Sequence, residues 1–145
     1  MGIKSGRTPT VSAAAFRGSE VLLVKHGEAA SHLTGVYGLP GGRLESGESL
    51  LDAAVREFEE ETGLLAERDS MKEISTVFNG DIQRKSGEIL ETAWHVFALR
   101  NFSGELRETD EASPEWVEID VLSSLNLLPN TEVAIKEALS IIEKI

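Results

Sequence analysis

The chain has 145 residues, 41% of them hydrophobic, with 25 acidic against 14 basic side chains, a formal net charge of −11 and no cysteine. That size and apolar share suit one globular domain, residues 1–145, with a core of its own. The charge disfavours nucleic acid polymers and anionic membranes as partners, and the lack of cysteine removes disulfides, thiolate metal sites and a cysteine nucleophile, so any bound metal must sit on oxygen or imidazole.

The opening residues MGIKSGRT have neither signal-peptide nor transit-peptide character, and no apolar run is long enough for a bilayer, so a soluble cytoplasmic protein is expected. Val11 to Phe16 and Val21 to Val24 are short apolar runs joined by RGSE, the pattern of a β-hairpin. Gly27 to Ser49 is rich in glycine, serine and turn residues with PGG at its centre, and reads as a long loop of the kind that carries function. Ser49 with Asp52 fits a capping box, so a helix is expected from there to Gly63, which suits a left-handed C-terminal cap. Its core side gathers Leu51, Ala54, Val55, Phe58 and Thr62. Ile74 to Phe78, Glu91 to Leu99 and Glu115 to Ile119 have the β-branched and aromatic content of strands, with Trp116 a core residue of the last. Thr131 to Lys144 reads as a closing helix that buries Val133, Ile135, Ala138, Leu139 and Ile142. No repeat or linker divides the chain, and the mixed order lacks the strand–helix–strand rhythm of a doubly wound sheet.

The first helix ends in REFEEETGL, Arg56 to Leu64, where Glu57, Glu59, Glu60 and Glu61 crowd the last turns. A helix C-terminus carries partial negative charge, so these carboxylates are repelled by the backbone and by one another. With Glu57 at zero on the helical wheel, Glu61 lies at about +40° and Glu60 at about −60°, whereas Glu59 falls about 160° away, toward solvent. Three carboxylates on one face raise one another's pKa unless cations occupy it, and divalent ions solve that problem. The three histidines lack ligand spacing, which leaves oxygen donors and hence magnesium, manganese or calcium. An EF-hand pattern is absent, and a plain solvated acidic face with an Arg56–Glu60 pair is the alternative for the glutamates taken alone.

Upstream lies LPGGRLESGE, Leu39 to Glu48. From Gly42 five residues lead to Glu48 and seven more to Arg56 and Glu57; then come Phe58, a free position, Glu60, Glu61, a free position, Gly63 and Leu64. Every fixed position of the Nudix box is filled, and the chain resembles the Nudix hydrolases. The resemblance implies an α/β/α sandwich around a mixed β-sheet and hydrolysis of a nucleoside diphosphate linked to another group. It implies magnesium, with manganese as a substitute, held by Glu57, Glu60, Glu61 and a carbonyl of the Gly41–Gly42 turn. Glu48 would support that site, Arg56 would orient the glutamates, and Gly63 would close the helix. Either Glu57 or one of the loop acids Glu108, Asp110 and Glu111, of which Glu111 is preferred, would take the proton from the attacking water.

The Tyr or Pro that often marks diadenosine polyphosphate and ADP-ribose hydrolases would fall near Asn79 and Gly80, and is missing. The added motifs of the coenzyme A and NADH branches are also missing, and isomerase relatives that need a catalytic cysteine are excluded. LLPNTEVAIKEAL resembles the C-terminal segment of MutT-like enzymes, where an asparagine reads the base. Asn130 matches it, with a helix N-cap as its plainer role. Phe78 and Trp94 could stack on a base or belong to the core, and Lys25 and Arg43 could meet phosphates or be surface cations. The expectation is a MutT-like, Mg²⁺-dependent enzyme cleaving a nucleoside triphosphate to the monophosphate and pyrophosphate. The alternatives are an ADP-ribose or nucleotide-sugar pyrophosphatase and a nucleotide sensor without turnover. Homodimers are common in the family, and the sequence leaves the oligomeric state open.

Overall fold

The computed structural model describes residues 7–26, 35–83, 86–109 and 112–143. Two long strands, β1 (Thr8–Arg17) and β2 (Glu20–His26), form the expected hairpin, with Phe16 opposite Val21 and Gly18 taking the left-handed turn. Between Gly35 and Ser49 the segment read as loop holds two short strands, β3 (Tyr37–Gly38) on β2 and β4 (Gly41–Arg43) on β1. Helix α1 (Leu50–Thr62) follows, then β5 (Leu64–Ala66), β6 (Lys72–Glu73), β7 (Phe78–Gln83), β8 (Ile89–Leu99), β9 (Phe102–Gly104), β10 (Ala112–Glu118) and helix α2 (Thr131–Glu143). The expected strand at Ile74 to Phe78 is therefore displaced. Residues 74–77 are irregular and only Phe78 is in a strand, because Ile74 is drawn into the core as a single buried side chain while its N–H bonds to Val96.

Among the described residues eight strands make one mixed sheet with the central order β10-β2-β1-β8-β6, and β5 pairs with β9 in a separate two-stranded ribbon. The parallel pairing is between β1 and β8, from Thr8 beside Thr92 to Ala15 beside Leu99. Helices cover both faces of the sheet. Ala14, Phe16, Val96 and Ala98 meet Ala134, Ile135 and Ala138 of α2, whereas Ala13, Ala15 and Leu99 cluster with Phe58 of α1. The run Ala13–Ala14–Ala15 is wholly buried. Small side chains on a strand covered on both sides let two helices approach the same backbone, which explains an alanine run where alternation would be usual.

The second helix buries Thr131, Ala134, Ile135, Ala138 and Ile142, and Val133 is 59% exposed. Val133 lies about 200° around the helix from Ile135, so the two cannot share a face; Ala134 takes the place expected for Val133. No helix among the described residues is long and apolar enough to cross a membrane.

Candidate active site

Local chemistry fixes both ends of α1. Ser49 has extended backbone and its Oγ accepts the N–H of Asp52 at 3.0 Å, while Gly63 at φ 85° caps the other end with its N–H on the Glu59 carbonyl. The helix buries Ala53, Ala54, Phe58 and Thr62. Its neighbouring face looks onto β4, which is held on β1 with Gly42 opposite Val11.

Arg56 is the hub of that face. Its Nε and Nη2 donate to the two carboxylate oxygens of Glu48 at 2.8 and 2.9 Å, a two-pronged fork. Its Nη1 donates to Glu57 at 3.1 Å and to Glu60 at 3.2 Å, and Nη2 also reaches the Arg43 carbonyl at 3.0 Å. Glu45, which the sequence did not single out, approaches at 3.7 Å. The fork and the Glu45 N–H hold the Glu48 carboxyl down at about 2, and the same carboxylates push the Arg56 guanidinium further up. Arg56 is thus a fixed cation tying the β4–α1 loop to the helix.

Two of the three glutamates, Glu57 and Glu61, border the Gly41–Gly42 turn. Glu57 keeps 15% of its side-chain exposure and lies against Gly42, where a Cβ would come 2.4 Å from the Glu57 carboxylate. Glu61 accepts the Gly41 N–H at 2.9 Å. Glu60 is 57% exposed and reaches the site through Arg56. Glu59 points outward and is exposed, as its wheel angle requires. The glutamates are not drawn into a ready-made nest, and among the described residues no three acidic or imidazole groups are close enough to chelate an ion. Arg56 bonds to both Glu57 and Glu60, and the Gly41 N–H bonds to Glu61, so each of the three like charges is met by a placed donor.

The residues nonetheless fit a hard divalent cation. The donors are carboxylate and backbone oxygens, and Gly42 leaves the Glu57 carboxylate beside bare backbone. Burial raises the pKa of Glu57, against the lowering by Arg56, so that carboxylate lacks the solvation an anion wants. Glu57, Glu60, Glu61 and the Gly42 carbonyl are the groups that could hold such an ion.

The expected substrate residues are spread more widely. Lys25 is exposed, with Nζ 5.9 Å from the Tyr37 ring centroid, and Tyr37 donates its hydroxyl to Glu115 at 2.8 Å. Phe78 and Trp94 lie 5.7 Å apart, half-buried against the α2 side of the core, with Trp94 Nε1 donating to Ser12 Oγ. Arg43 is exposed at the end of β4. Asn130 is also exposed and has left-handed backbone, φ 68°, instead of the extended backbone of a side-chain N-cap, and its carbonyl opens the α2 ladder by accepting from Ala134 at 3.0 Å. Trp116 stacks between Phe102 and Arg17 on the α1 side. Among the loop acids, Glu108 accepts from Ser113 Oγ, and Asp110 and Glu111 lie outside the described residues. Arg107, which sequence reasoning missed, bonds to carbonyls at the end of α1.

A family model described as the NUDIX domain matches residues 6–139. The chain is 32% identical over 108 residues to an ADP-ribose pyrophosphatase of Methanocaldococcus jannaschii, covering 74% of this chain and 59% of the relative. It is 35% identical over 83 residues to an oxidized purine nucleoside triphosphate hydrolase of Danio rerio, covering 55% of this chain and 47% of the relative. The chain therefore spans about half the length of these relatives. Among solved structures, a MutT NUDIX hydrolase from Burkholderia pseudomallei superposes with a TM-score of 0.75 at 29% identity, over 90% of this chain and 97% of that one.

Proposed function

The chain belongs to the NUDIX domain family, and from that premise we propose that it is a divalent-metal-dependent pyrophosphohydrolase that cleaves a nucleoside triphosphate to the monophosphate and pyrophosphate. The observation that carries this reading is the Arg56 hub, which gathers Glu48, Glu57 and Glu60 on one guanidinium, with Glu57 against the turn bare of side chains at Gly42. Magnesium, or manganese in its place, would be held by Glu57, Glu60, Glu61 and the Gly42 carbonyl. When bound, such an ion neutralises charge on the phosphates and lowers the pKa of a bound water.

The chain's own contribution is position and electrostatics. Arg56, fixed by Glu48, sets the directions of the Glu57 and Glu60 carboxylates, and the Gly41 N–H sets that of Glu61. Glu57 or a loop acid, with Glu111 preferred, takes the proton from water. Lys25 and Arg43 meet phosphate oxygens, Phe78 offers a ring face to the base, and Asn130 offers a side-chain amide.

The M. jannaschii relative supports a second reading, with ADP-ribose as the substrate on the same scaffold. One assay separates the two. Purified protein is given a panel of nucleoside triphosphates and ADP-ribose with and without Mg²⁺, and pyrophosphate and monophosphate are measured. Pyrophosphate from a triphosphate, abolished by chelator, is the expected result. Release of AMP from ADP-ribose alone moves the assignment to the second reading, and no release from any nucleotide in the presence of Mg²⁺ or Mn²⁺ would falsify both.

A further inference from the structure

The last turn of α1 contains no basic residue, although its carbonyls and its glutamates are both negative. The compensating cation comes from far along the chain. Arg107 donates its backbone N–H to the Thr62 carbonyl at 2.8 Å, and its Nη2 donates to the carbonyls of Glu59 at 3.3 Å and Glu60 at 3.2 Å. The last four carbonyls of an α-helix have no partner within the helix. In α1 the Glu59 carbonyl already accepts the Gly63 N–H, and of the carbonyls beyond it Arg107 takes those of Glu60 and Thr62 while adding a second bond to that of Glu59. Gly63 makes the approach feasible, because a Cβ there would lie 2.6 Å from the Glu105 carbonyl oxygen and 2.9 Å from the Arg107 Cβ.

We propose that Arg107 is a positioning residue for the metal-binding glutamates. It grips the backbone of the turn on which Glu60 and Glu61 ride, so that their mutual repulsion cannot fray the helix end and their carboxylates keep their bearing on the Gly41–Gly42 turn. The inference rests on the reading of those glutamates as metal ligands.

Two roles for a nearby cation predict opposite signs. If Arg107 acted on the ion only through its charge, removing it would strengthen binding of a second cation. If it holds the turn, removing it weakens binding.

The test is Mn²⁺ binding to the nucleotide-free protein, followed by electron paramagnetic resonance, for the wild type, Arg107→Gln and Arg107→Lys. Circular dichroism in chelator checks that each variant is folded. Arg107→Gln should weaken Mn²⁺ binding about tenfold, the scale seen when an outer partner of a metal ligand is removed. It should lower kcat with little change in KM for the nucleotide. Arg107→Lys keeps the charge but lacks the planar fork, and should recover only part of the loss. Gly63→Ala, which crowds residues 105–107 while leaving the arginine intact, should weaken Mn²⁺ binding in the same direction. Equal or tighter binding by folded Arg107→Gln overturns the proposal while leaving the glutamate site standing. A wild type that binds no Mn²⁺ overturns the site reading itself, and this inference with it.

Discussion

The two helices have the same length and lie on opposite faces of one sheet, yet they handle charge in opposite ways. On α2 the charges are mostly a solvated face, apart from Glu137, which accepts the Thr76 N–H at 3.3 Å. Lys136 and Glu132 pair at 3.2 Å with 63% and 34% of their side chains exposed, the i,i+4 arrangement any surface helix can make. On α1 the carboxylates are tied to groups outside the helix or to a shared guanidinium: Asp52 to Arg68, Glu57 and Glu60 to Arg56, which is itself forked on Glu48, and Glu61 to the Gly41 N–H. Its last carbonyls are held by Arg107. The contrast explains why an acidic helix end is tolerated. Apart from Glu59, which points to solvent, each carboxylate of α1 is met by a placed donor, and the donors leave the Glu57 and Glu61 carboxylates beside the same turn, where a divalent ion could replace them.

The comparison is sharpest where the helices should behave alike. Phe58 on α1 and Ile135 on α2 are both fully buried, so Phe58→Ala should cost about 3–5 kcal/mol and Ile135→Ala about 2–5 kcal/mol of stability. Urea unfolding in chelator measures both, and a near-neutral Phe58→Ala would mean that α1 is not packed as described. Charge removal should then separate them. Glu60→Gln should lower turnover by more than about 100-fold, beyond the loss from removing an outer partner of a metal ligand. Because Glu60 is well exposed, its pair with Arg56 is worth little, and stability in chelator should move by less than about 0.5 kcal/mol. Full activity in this variant would remove Glu60 from the site.

What could be read from the sequence was what is local along the chain. The caps of α1 are set by Ser49 and Gly63 themselves, and the wheel positions of Glu57, Glu59, Glu60 and Glu61 follow from helix geometry alone. Arg107 was illegible because it meets Glu59 across 48 residues and Glu60 across 47, with nothing in the intervening pattern to announce it. The parallel union of β1 with β8 is equally non-local, since it sets Thr8 beside Thr92, and so is the Ile74 N–H bond to the Val96 carbonyl that accompanies the burial of Ile74 in the core. Glu48 stands between these cases. Its spacing in the box marked it as support, but only the folded loop shows that it forms the stronger of Arg56's bonds.

Glu48 supplies the next test of the contrast. Its carboxyl is held at about 2, below the ordinary value of 4.5, so the charged form is favoured in the folded state. The sign follows: its contribution to stability is in place above pH 4.5 and is lost as the pH falls from there toward 2. Glu48→Gln should therefore be less stable than the wild type at neutral pH, and the difference should shrink across that acid window in pH-dependent urea titrations. A constant difference down to pH 2 would assign the loss to packing and not to the ionised fork. Turnover should fall as well, by about 10- to 100-fold, because Arg56 loses the partner that fixes it.

The smallest expected effect is on α2. Glu132→Gln removes an exposed pair whose worth is about 0.3–0.5 kcal/mol, with no link to the α1 site. Thermal unfolding should shift barely, and kcat and KM should match the wild type. A marked loss of activity would break the distinction between the two faces, because it would mean that charge on α2 is sensed at the glutamates of α1 through the sheet between them. Paired with Glu60→Gln, the same change of charge should thus be nearly silent on one helix and disabling on the other, since Glu132 pairs with an exposed lysine whereas Glu60 shares the guanidinium that also orients Glu57.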